Sequence, residues 1–219
     1  MRRDTPQLPE AEGPRTGLES PGAAPPLRLL VVGDSSAAGV GVDRQEAALA
    51  QPMARALAKN LERPVHWQLV AKSGVNTEEA ILMLRDGNVD PADVVVFALG
   101  MNDVTGQRAG RFVRDAAELW RMASGRTGAR FGVFAGLPPL HALPAAPQPL
   151  RWYLGRYATH LDTSLQAWIA PHPHLGFCSL QWASQPEWIA SDGFHPGPAG
   201  YARWSKLMAD AVADVVTRT

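Results

Sequence analysis

Three residue types needed for nucleophilic catalysis stand in suitable contexts along the chain. Ser35 follows Gly33-Asp34 at the end of an apolar run, and Asp192 stands three residues before His195. A serine hydroxyl is a weak nucleophile and needs an adjacent base. Histidine suits that task because its ordinary pKa is about 6.5, and a carboxylate can hold the imidazole in the required tautomer. The pattern therefore predicts that Ser35 attacks an acyl carbon, with His195 as base and Asp192 as its partner.

Attack on an acyl carbon also requires hydrogen-bond donors for the oxygen that becomes negatively charged. Gly74 can bring a bare backbone N–H close to a substrate, and Asn102 can add a side-chain amide N–H. Ser35 stands at a predicted strand-to-helix turn, where the N-terminus of a helix favours negative charge. Gly74 and Asn102 are therefore candidates for an oxyanion hole beside Ser35.

Each of these blocks also has an ordinary structural explanation when it is taken alone. A Gly-Asp-Ser turn after a strand is common, and Gly74 could be a turn glycine. Asn102 could form an Asx turn or a helix cap, and the segment 192–195 could begin a helix with Pro196 at an early position. The catalytic interpretation is favoured because the blocks occur together, three of them after predicted strands and the last before the final helix.

Short apolar strands alternate with helical segments along the chain. Strands are predicted at 27–32, 65–71, 94–99, 131–135 and 176–180. Helices are predicted at 45–61, 77–85, 110–123, 150–169 and 198–217. This alternation is typical of an α/β domain with a parallel sheet, here of five strands. Because ligands of such sheets bind beyond the carboxyl ends of the strands, the blocks that follow the strands should meet at one edge.

The four blocks resemble those of the SGNH hydrolases, also called GDSL-type esterases and lipases. They read Gly33-Asp34-Ser35, Gly74, Gly100-Met101-Asn102-Asp103 and Asp192-Gly193-Phe194-His195-Pro196, in the order of that family. The resemblance covers 27–217 and implies a flavodoxin-like three-layer α/β/α sandwich. It also implies a triad of Ser35, Asp192 and His195. The implied oxyanion hole consists of the Ser35 N–H, the Gly74 N–H and the Asn102 side chain. One departure is Ser36, which stands where the family often has leucine, at a position that is not catalytic.

The implied reaction is hydrolysis of carboxylic esters or thioesters through an acyl-enzyme on Ser35, but the motif leaves the substrate open. Members of this family that share the motif include lysophospholipases, acyl thioesterases, short-chain arylesterases and carbohydrate deacetylases. A small single domain without large insertions predicts an open, shallow cleft, so we expect short or medium acyl chains. Trp152 and Tyr153 follow a long loop at 136–148 and are candidates for lining the pocket. The sequence does not decide whether that loop is a mobile lid.

Other functions fit the strand-turn pattern less well. A nucleotide- or phosphate-binding module would use the turn from Gly33 to Gly41, but Arg44 stands where the dinucleotide fingerprint needs its third glycine. A P-loop motif is also lacking, and so is the G-x-S-x-G elbow of the α/β-hydrolase fold. A non-catalytic relative that binds esters or sugars is disfavoured by the complete set of triad residues.

Composition argues against several classes of partner. The 21 Lys and Arg residues balance the 21 Asp and Glu residues, which does not favour binding to nucleic acid or to anionic membranes. Cys178 is the single cysteine, so neither an intrachain disulfide nor a thiolate zinc site can form. We expect no cofactor and no metal, a small-molecule ester as substrate, and a monomer.

The N-terminal residues differ in composition from the rest of the chain. Residues 1–26 contain six prolines and few large apolar side chains, which predicts a disordered tail before a hydrolase domain at 27–219. No apolar run resembling a signal peptide or a membrane span is present, so we expect a cytoplasmic protein. Asp34 and Asp103 are assigned structural roles, each accepting backbone N–H bonds within its own turn.

Overall fold

The computed structural model describes residues 8–20, 22–142 and 147–218, and a six-stranded sheet forms its centre. The strands are Thr16–Glu19 (β1), Leu27–Gly33 (β2), Val65–Ala71 (β3), Val94–Ala98 (β4), Phe131–Ala135 (β5) and Leu175–Cys178 (β6). Their order across the sheet is β1-β3-β2-β4-β5-β6. Strands β2 to β6 are parallel and match the five strands predicted from the sequence, with small differences at their ends. The predicted α/β class is confirmed.

The sixth strand corrects two predictions, the five-stranded sheet and the disordered tail at 1–26. β1 runs antiparallel to β3, with Thr16 opposite Gln68 and Glu19 opposite Val65. The edge of β3 offers unpaired backbone N–H and C=O groups, and residues 16–19, which contain no proline, can pair with them. Ala11 is also buried, at 6% exposure. The tail prediction is therefore wrong for the described residues that lead into and form β1, while residues 1–7 and 21 lie outside the described residues.

In the part of the chain that the structure describes, five α-helices cover the two faces of the sheet. They are Ala50–Asn60 (α1), Thr77–Asp86 (α2), Ala109–Thr127 (α3), Leu150–Ile169 (α4) and Pro198–Thr217 (α5). The predicted helix at 45–61 is a 3-10 turn at Gln45–Ala47 followed by α1, and Pro52 lies in the first turn of α1, where a missing N–H costs nothing. The other four helices match the predicted ones closely.

The side chains of alternate strand residues pack into two separate hydrophobic cores, one on each face of the sheet. Leu29 and Val31 of β2 pack with the apolar sides of α1 and α5 on one face. Leu30 and Val32 pack with α2, α3 and α4 on the other. All four side chains are fully buried, as expected for a parallel strand covered on both faces. The molecule thus has the three layers of an α/β/α sandwich.

The position of β2 between β3 and β4 determines where the loops of the sheet diverge. β2 lies between β3 and β4, so the chain leaves β2 toward one side of the sheet for β3 and then returns past β2 to form β4. A crevice opens at such a switch point, beyond the carboxyl ends of the two neighbouring strands. The Ser35 block follows β2 and the Asn102 block follows β4, so both lie at this crevice.

Candidate active site

Ser35, His195 and Asp192 form one continuous hydrogen-bonded chain. The Ser35 Oγ lies 2.8 Å from His195 Nε2, and His195 Nδ1 lies 2.5 Å from Asp192 Oδ2. Although Ser35 and His195 are 160 residues apart in sequence, the fold brings them to hydrogen-bonding distance. With this geometry the imidazole can accept the serine proton at Nε2 while it donates from Nδ1 to the carboxylate.

The Asp192 carboxylate is held by three donors. Its Oδ1 accepts from the backbone N–H groups of Phe194, at 2.9 Å, and His195, at 3.0 Å, and its Oδ2 faces the imidazole. Burial alone would raise the pKa of Asp192, but the hydrogen bonds from the His195 ring and from the two N–H groups lower the pKa below its ordinary value. The carboxylate is therefore ionised at neutral pH and can stabilise an imidazolium.

The turn that carries Ser35 is tightly packed. A Cβ on Gly33 would lie 2.3 Å from Ala37 Cβ and 2.4 Å from the Ala98 carbonyl oxygen, so only glycine fits between β2 and β4 here. The predicted strand-to-helix turn is instead a run of turns over residues 35–41, and α1 begins only at Ala50. Local backbone N–H groups, rather than the N-terminus of a helix, are therefore the donors available at Ser35.

Two side chains that the sequence did not single out fix this turn. The hydroxyl of Tyr201, from α5, lies 2.8 Å from the carbonyl oxygens of both Ser36 and Val40. The amide of Gln45 donates to the Ala38 carbonyl at 2.9 Å. Tyr201 and Gln45 are fully buried. A tyrosine in the predicted closing helix is the one sequence signal for such a contact, but its hydrogen-bond partner could not be read from the sequence.

The three candidate oxyanion donors lie in the loops that follow β2, β3 and β4. Among the described residues, the backbone N–H groups of Ser35 and Gly74 have no hydrogen-bond acceptor. Gly74 has a φ of +83°, and a Cβ there would meet nothing within 4 Å, so backbone conformation rather than space favours glycine. One hydrogen of the Asn102 amide is donated to the Val75 carbonyl at 2.8 Å, which leaves the second free.

The two aspartates assigned structural roles act differently from each other. Asp34 accepts the N–H of Ser36 at 2.9 Å, within its own turn as predicted. Asp103 instead reaches Thr77 and accepts from its N–H, at 3.2 Å, and its hydroxyl, at 3.0 Å. It thereby ties the Asn102 block to the start of α2. Burial raises the pKa of Asp34 to about 7, with a further contribution from Asp103, and burial raises the pKa of Asp103 to about 6.

Comparison with known proteins places this arrangement in a family. The model of the GDSL-like lipase/acylhydrolase family matches residues 31–203, which include every group described above. The chain belongs to that family.

Individual relatives agree with this family. A GDSL-like esterase of Mycobacterium tuberculosis is 26% identical over 205 residues, covering 87% of this chain. The match spans 63% of that relative, so this chain corresponds to only part of its length. Among solved structures, a lipase from a goat rumen metagenome has a TM-score of 0.69 at 18% identity, with 84% of this chain and 97% of the other covered. A lipolytic G-D-S-L family protein of Veillonella parvula has a TM-score of 0.63 at 17% identity, with 88% and 100% covered.

A small apolar pocket opens beside Ser36 and His195 in this GDSL-like fold. Its volume is about 60 Å³, and apolar residues dominate its lining, among them Leu99, Leu137, Leu180, Trp188 and Phe194. The guanidinium of Arg203 lies over the rings of Trp182, at 5.0 Å, and Trp188, at 5.2 Å, which stiffens one wall. The pocket can hold a small apolar group next to the hydrogen-bonded chain.

A larger groove is lined by residues 104–108, which follow the Asn102 block in the chain. It encloses about 510 Å³ between residues 104–108 and the first turns of α4, where Tyr153 and Tyr157 stack. Tyr153 lines this groove, whereas Trp152 is 57% exposed and its ring lies under the Arg156 guanidinium. Residues 143–146 of the predicted loop at 136–148 lie outside the described residues.

No cluster of three or more His, Cys, Asp or Glu suited to a metal ion occurs within 8–20, 22–142 and 147–218. Burial raises the pKa of the Cys178 thiol to about 12, so it is not a nucleophile at neutral pH. None of the helices in the described part of the chain is long and apolar enough to cross a membrane.

Proposed function

We propose that this chain hydrolyses carboxylic esters through an acyl-enzyme formed on Ser35. The observation that carries the proposal is the hydrogen-bonded chain from the Ser35 Oγ through His195 to Asp192, with distances of 2.8 Å and 2.5 Å. All of these groups, and the three candidate oxyanion donors, come from one chain. The reaction therefore needs no second copy, and we propose that the monomer is active.

Acylation begins when the Ser35 oxygen attacks the carbonyl carbon of the ester and His195 Nε2 takes the hydroxyl proton. The carbonyl oxygen becomes an oxyanion, which receives hydrogen bonds from the N–H groups of Ser35 and Gly74 and from the Asn102 amide. Asp192 stabilises the imidazolium that forms. Donors positioned in advance need no rearrangement as the charge develops, which lowers the barrier.

The intermediate then expels the alcohol, and the His195 Nε2–H protonates the departing oxygen. A water molecule takes the place of the alcohol, gives a proton to the same nitrogen and attacks the acyl-enzyme. Collapse of the second intermediate releases the carboxylic acid and returns the proton to Ser35. A thioester would follow the same steps, with a thiol leaving in place of the alcohol.

The pocket beside His195 supports a preference for short acyl groups. Its volume of about 60 Å³ suits an acyl chain of very few carbons. The groove of about 510 Å³ near Tyr153 favours a second candidate, hydrolysis of long-chain acyl esters or thioesters, in which the groove receives the acyl chain. Carbohydrate deacetylation would use the small pocket for the acetyl group.

Labelling with a fluorophosphonate tests the nucleophile. Intact-mass measurement should show one adduct on the wild type and none on Ser35→Ala, because the reagent reacts with an activated serine. Ser36→Ala is the matched control, since it removes the neighbouring hydroxyl and should still be labelled. Labelling of Ser35→Ala would assign the nucleophile to another residue.

A chain-length series of p-nitrophenyl esters tests the acyl preference. We expect the highest kcat/KM with acyl chains of about two to six carbons, given that a hydrophobic pocket discriminates by about 1–3 kcal/mol per methylene. Highest kcat/KM for chains of about 12 to 16 carbons would refute the short-chain assignment and support the groove as the acyl site.

A further inference from the structure

The residues that precede β1 lie against the loops of the proposed active site. The Ala11 N–H donates to the Ala38 carbonyl at 3.2 Å, and Gln45 donates to the carbonyls of both Ala11, at 3.1 Å, and Ala38, at 2.9 Å. The Glu12 N–H donates to the Asp43 carbonyl at 2.9 Å. This segment therefore packs on the turn that carries Ser35, although its composition predicts disorder.

Glu10 and Arg15 extend these contacts to the loop that carries Gly74. The Glu10 Oε1 accepts the backbone N–H of Ser73 at 2.7 Å, and its Oε2 pairs with the Arg15 guanidinium at 2.6 Å. Arg15 also donates to the carbonyl of Ala71, the last residue of β3, at 2.5 Å. The two side chains together hold both ends of the short connection between β3 and Gly74.

That connection has few other restraints. The Lys72 N–H donates to the Gly33 carbonyl at 3.2 Å, and the Val75 N–H donates to the Lys72 carbonyl at 3.4 Å. In the ranges that the structure describes, Glu10 is the only side chain hydrogen-bonded to the backbone of residues 72–74. Residues 72–74 are exposed, and a Cβ on Gly74 would meet nothing within 4 Å, so no side chain packs on that side of Gly74. The direction of its N–H therefore depends on the anchored residue before it.

We propose that Glu10, held by Arg15, is a positioning residue of the oxyanion hole: by binding the Ser73 N–H it aims the Gly74 N–H at the ester oxygen. This inference rests on the proposed function, because it assigns Gly74 as an oxyanion donor. Glu10 touches neither the ester nor the reacting atoms, and it acts through the loop alone.

The charge state of Glu10 suits this task. Burial alone would raise its pKa, but the hydrogen bonds from Ser73 and Arg15 lower the pKa below its ordinary value. The side chain is therefore a carboxylate at neutral pH, and charged acceptors form the stronger hydrogen bonds to backbone N–H groups.

The test compares Glu10→Ala, Glu10→Gln and Glu19→Ala in the full chain. Glu19 is the matched control: it also anchors this segment, by accepting from Gln51 at 2.9 Å and Arg55 at 3.1 Å, but it lies away from the Gly74 loop. In hydrolysis of p-nitrophenyl acetate, kcat of Glu10→Ala should fall by about tenfold, less than the roughly 100-fold loss of a whole oxyanion donor, with KM within about twofold of wild type. Glu10→Gln keeps an acceptor oxygen and should recover most of kcat, and Glu19→Ala should match wild type.

Hydrogen exchange supplies a second measurement that needs no substrate. Peptides covering 72–76 should exchange faster in Glu10→Ala than in wild type and Glu19→Ala. Unchanged exchange and unchanged kcat in Glu10→Ala would overturn the positioning role, as would equal losses of kcat in Glu10→Ala and Glu19→Ala. Failure of the wild type to hydrolyse any ester or to react with a fluorophosphonate would instead overturn the proposed function, and the exchange data would still judge the contact.

Discussion

Replacing Tyr201 with phenylalanine should weaken the fold and slow ester hydrolysis together, because one hydroxyl joins the closing helix to the turn that carries Ser35. The Tyr201 hydroxyl lies 2.8 Å from two carbonyl oxygens, those of Ser36 and Val40. The Ser36 carbonyl also accepts the Gly39 N–H at 3.3 Å. Within the described residues, the Tyr201 hydroxyl is the only hydrogen-bond donor to the Val40 carbonyl. Tyr201→Phe therefore leaves the Val40 carbonyl without a hydrogen-bond donor, and Val40 is only 3% exposed.

The size of the effect follows from that single orphaned carbonyl. A buried acceptor that loses its donor costs about 1–3 kcal/mol of unfolding free energy. For a chain of this size, each kcal/mol lowers Tm by about 2–4 °C. The Val40 N–H donates to the Ser35 carbonyl at 3.0 Å, so loosening Val40 also loosens Ser35. We expect kcat to fall by about tenfold, since a displacement of about 1 Å at a reacting group can cost 100-fold.

Urea unfolding and p-nitrophenyl acetate hydrolysis measure the two effects on the same samples. The midpoint should move to lower urea at an unchanged m-value, which shows a change in stability rather than in the unfolded state. Tyr153→Phe is the matched control, because Tyr153 is 59% exposed and its loss should change stability by less than about 0.5 kcal/mol. A Tyr201→Phe variant as stable and as active as Tyr153→Phe would refute the reasoning.

Two further substitutions test the carboxylates near the nucleophile. Asp192→Asn should lower kcat by about 10⁴, since an amide at this position favours the His195 tautomer that cannot accept a proton at Nε2; stopped assays at pH 8 measure it, and a loss below about tenfold would contradict the role. Asp34→Asn addresses stability, because burial and Asp103 raise the pKa of Asp34 to about 7. The native state thus holds a proton that the unfolded state releases, so the contribution of Asp34 to stability should fall as the pH rises from about 4 to about 7, by at most about 1.4 kcal/mol for each pH unit. Asparagine resembles the protonated acid and still offers an acceptor to the Ser36 N–H, so Asp34→Asn should flatten that slope in denaturation series at several pH values; an equally steep slope would show that Asp34 is not its source.

The parallel strands and the helices could be predicted because each has a strong local signal. Val94–Ala98 is a continuous apolar run that suits a strand buried on both faces, and Ala109–Thr127 repeats apolar residues at helical spacing. The four catalytic blocks could be expected to meet because parallel strands place their carboxyl ends at one edge. The positions of these blocks relative to the strands can be read from the sequence without any distance.

Contacts between distant segments could not be predicted in the same way. β1 is a strand of four residues in a proline-rich region, and it is stabilised by pairing with the edge of β3 and by the hydrogen bonds of Gln51 and Arg55 to Glu19. Asp103 was expected to serve its own turn, but its partner Thr77 is 26 residues away. Tyr201 reaches Val40 across 161 residues. In each case the residue type was visible, and the partner was decided by tertiary packing.

β1 also has a consequence for self-association. The seven residues of β3 would otherwise present a long row of unpaired N–H and C=O groups, which is a template for pairing with another chain. β1 pairs with residues 65–68 of that row, so the outer edge of the sheet is there a strand of only four residues, and short edge strands discourage further pairing. A chain shortened to begin at Leu27 would keep every catalytic group, yet it would expose an open, apolar sheet edge. The segment whose composition predicts disorder thus protects the sheet against edge-to-edge aggregation.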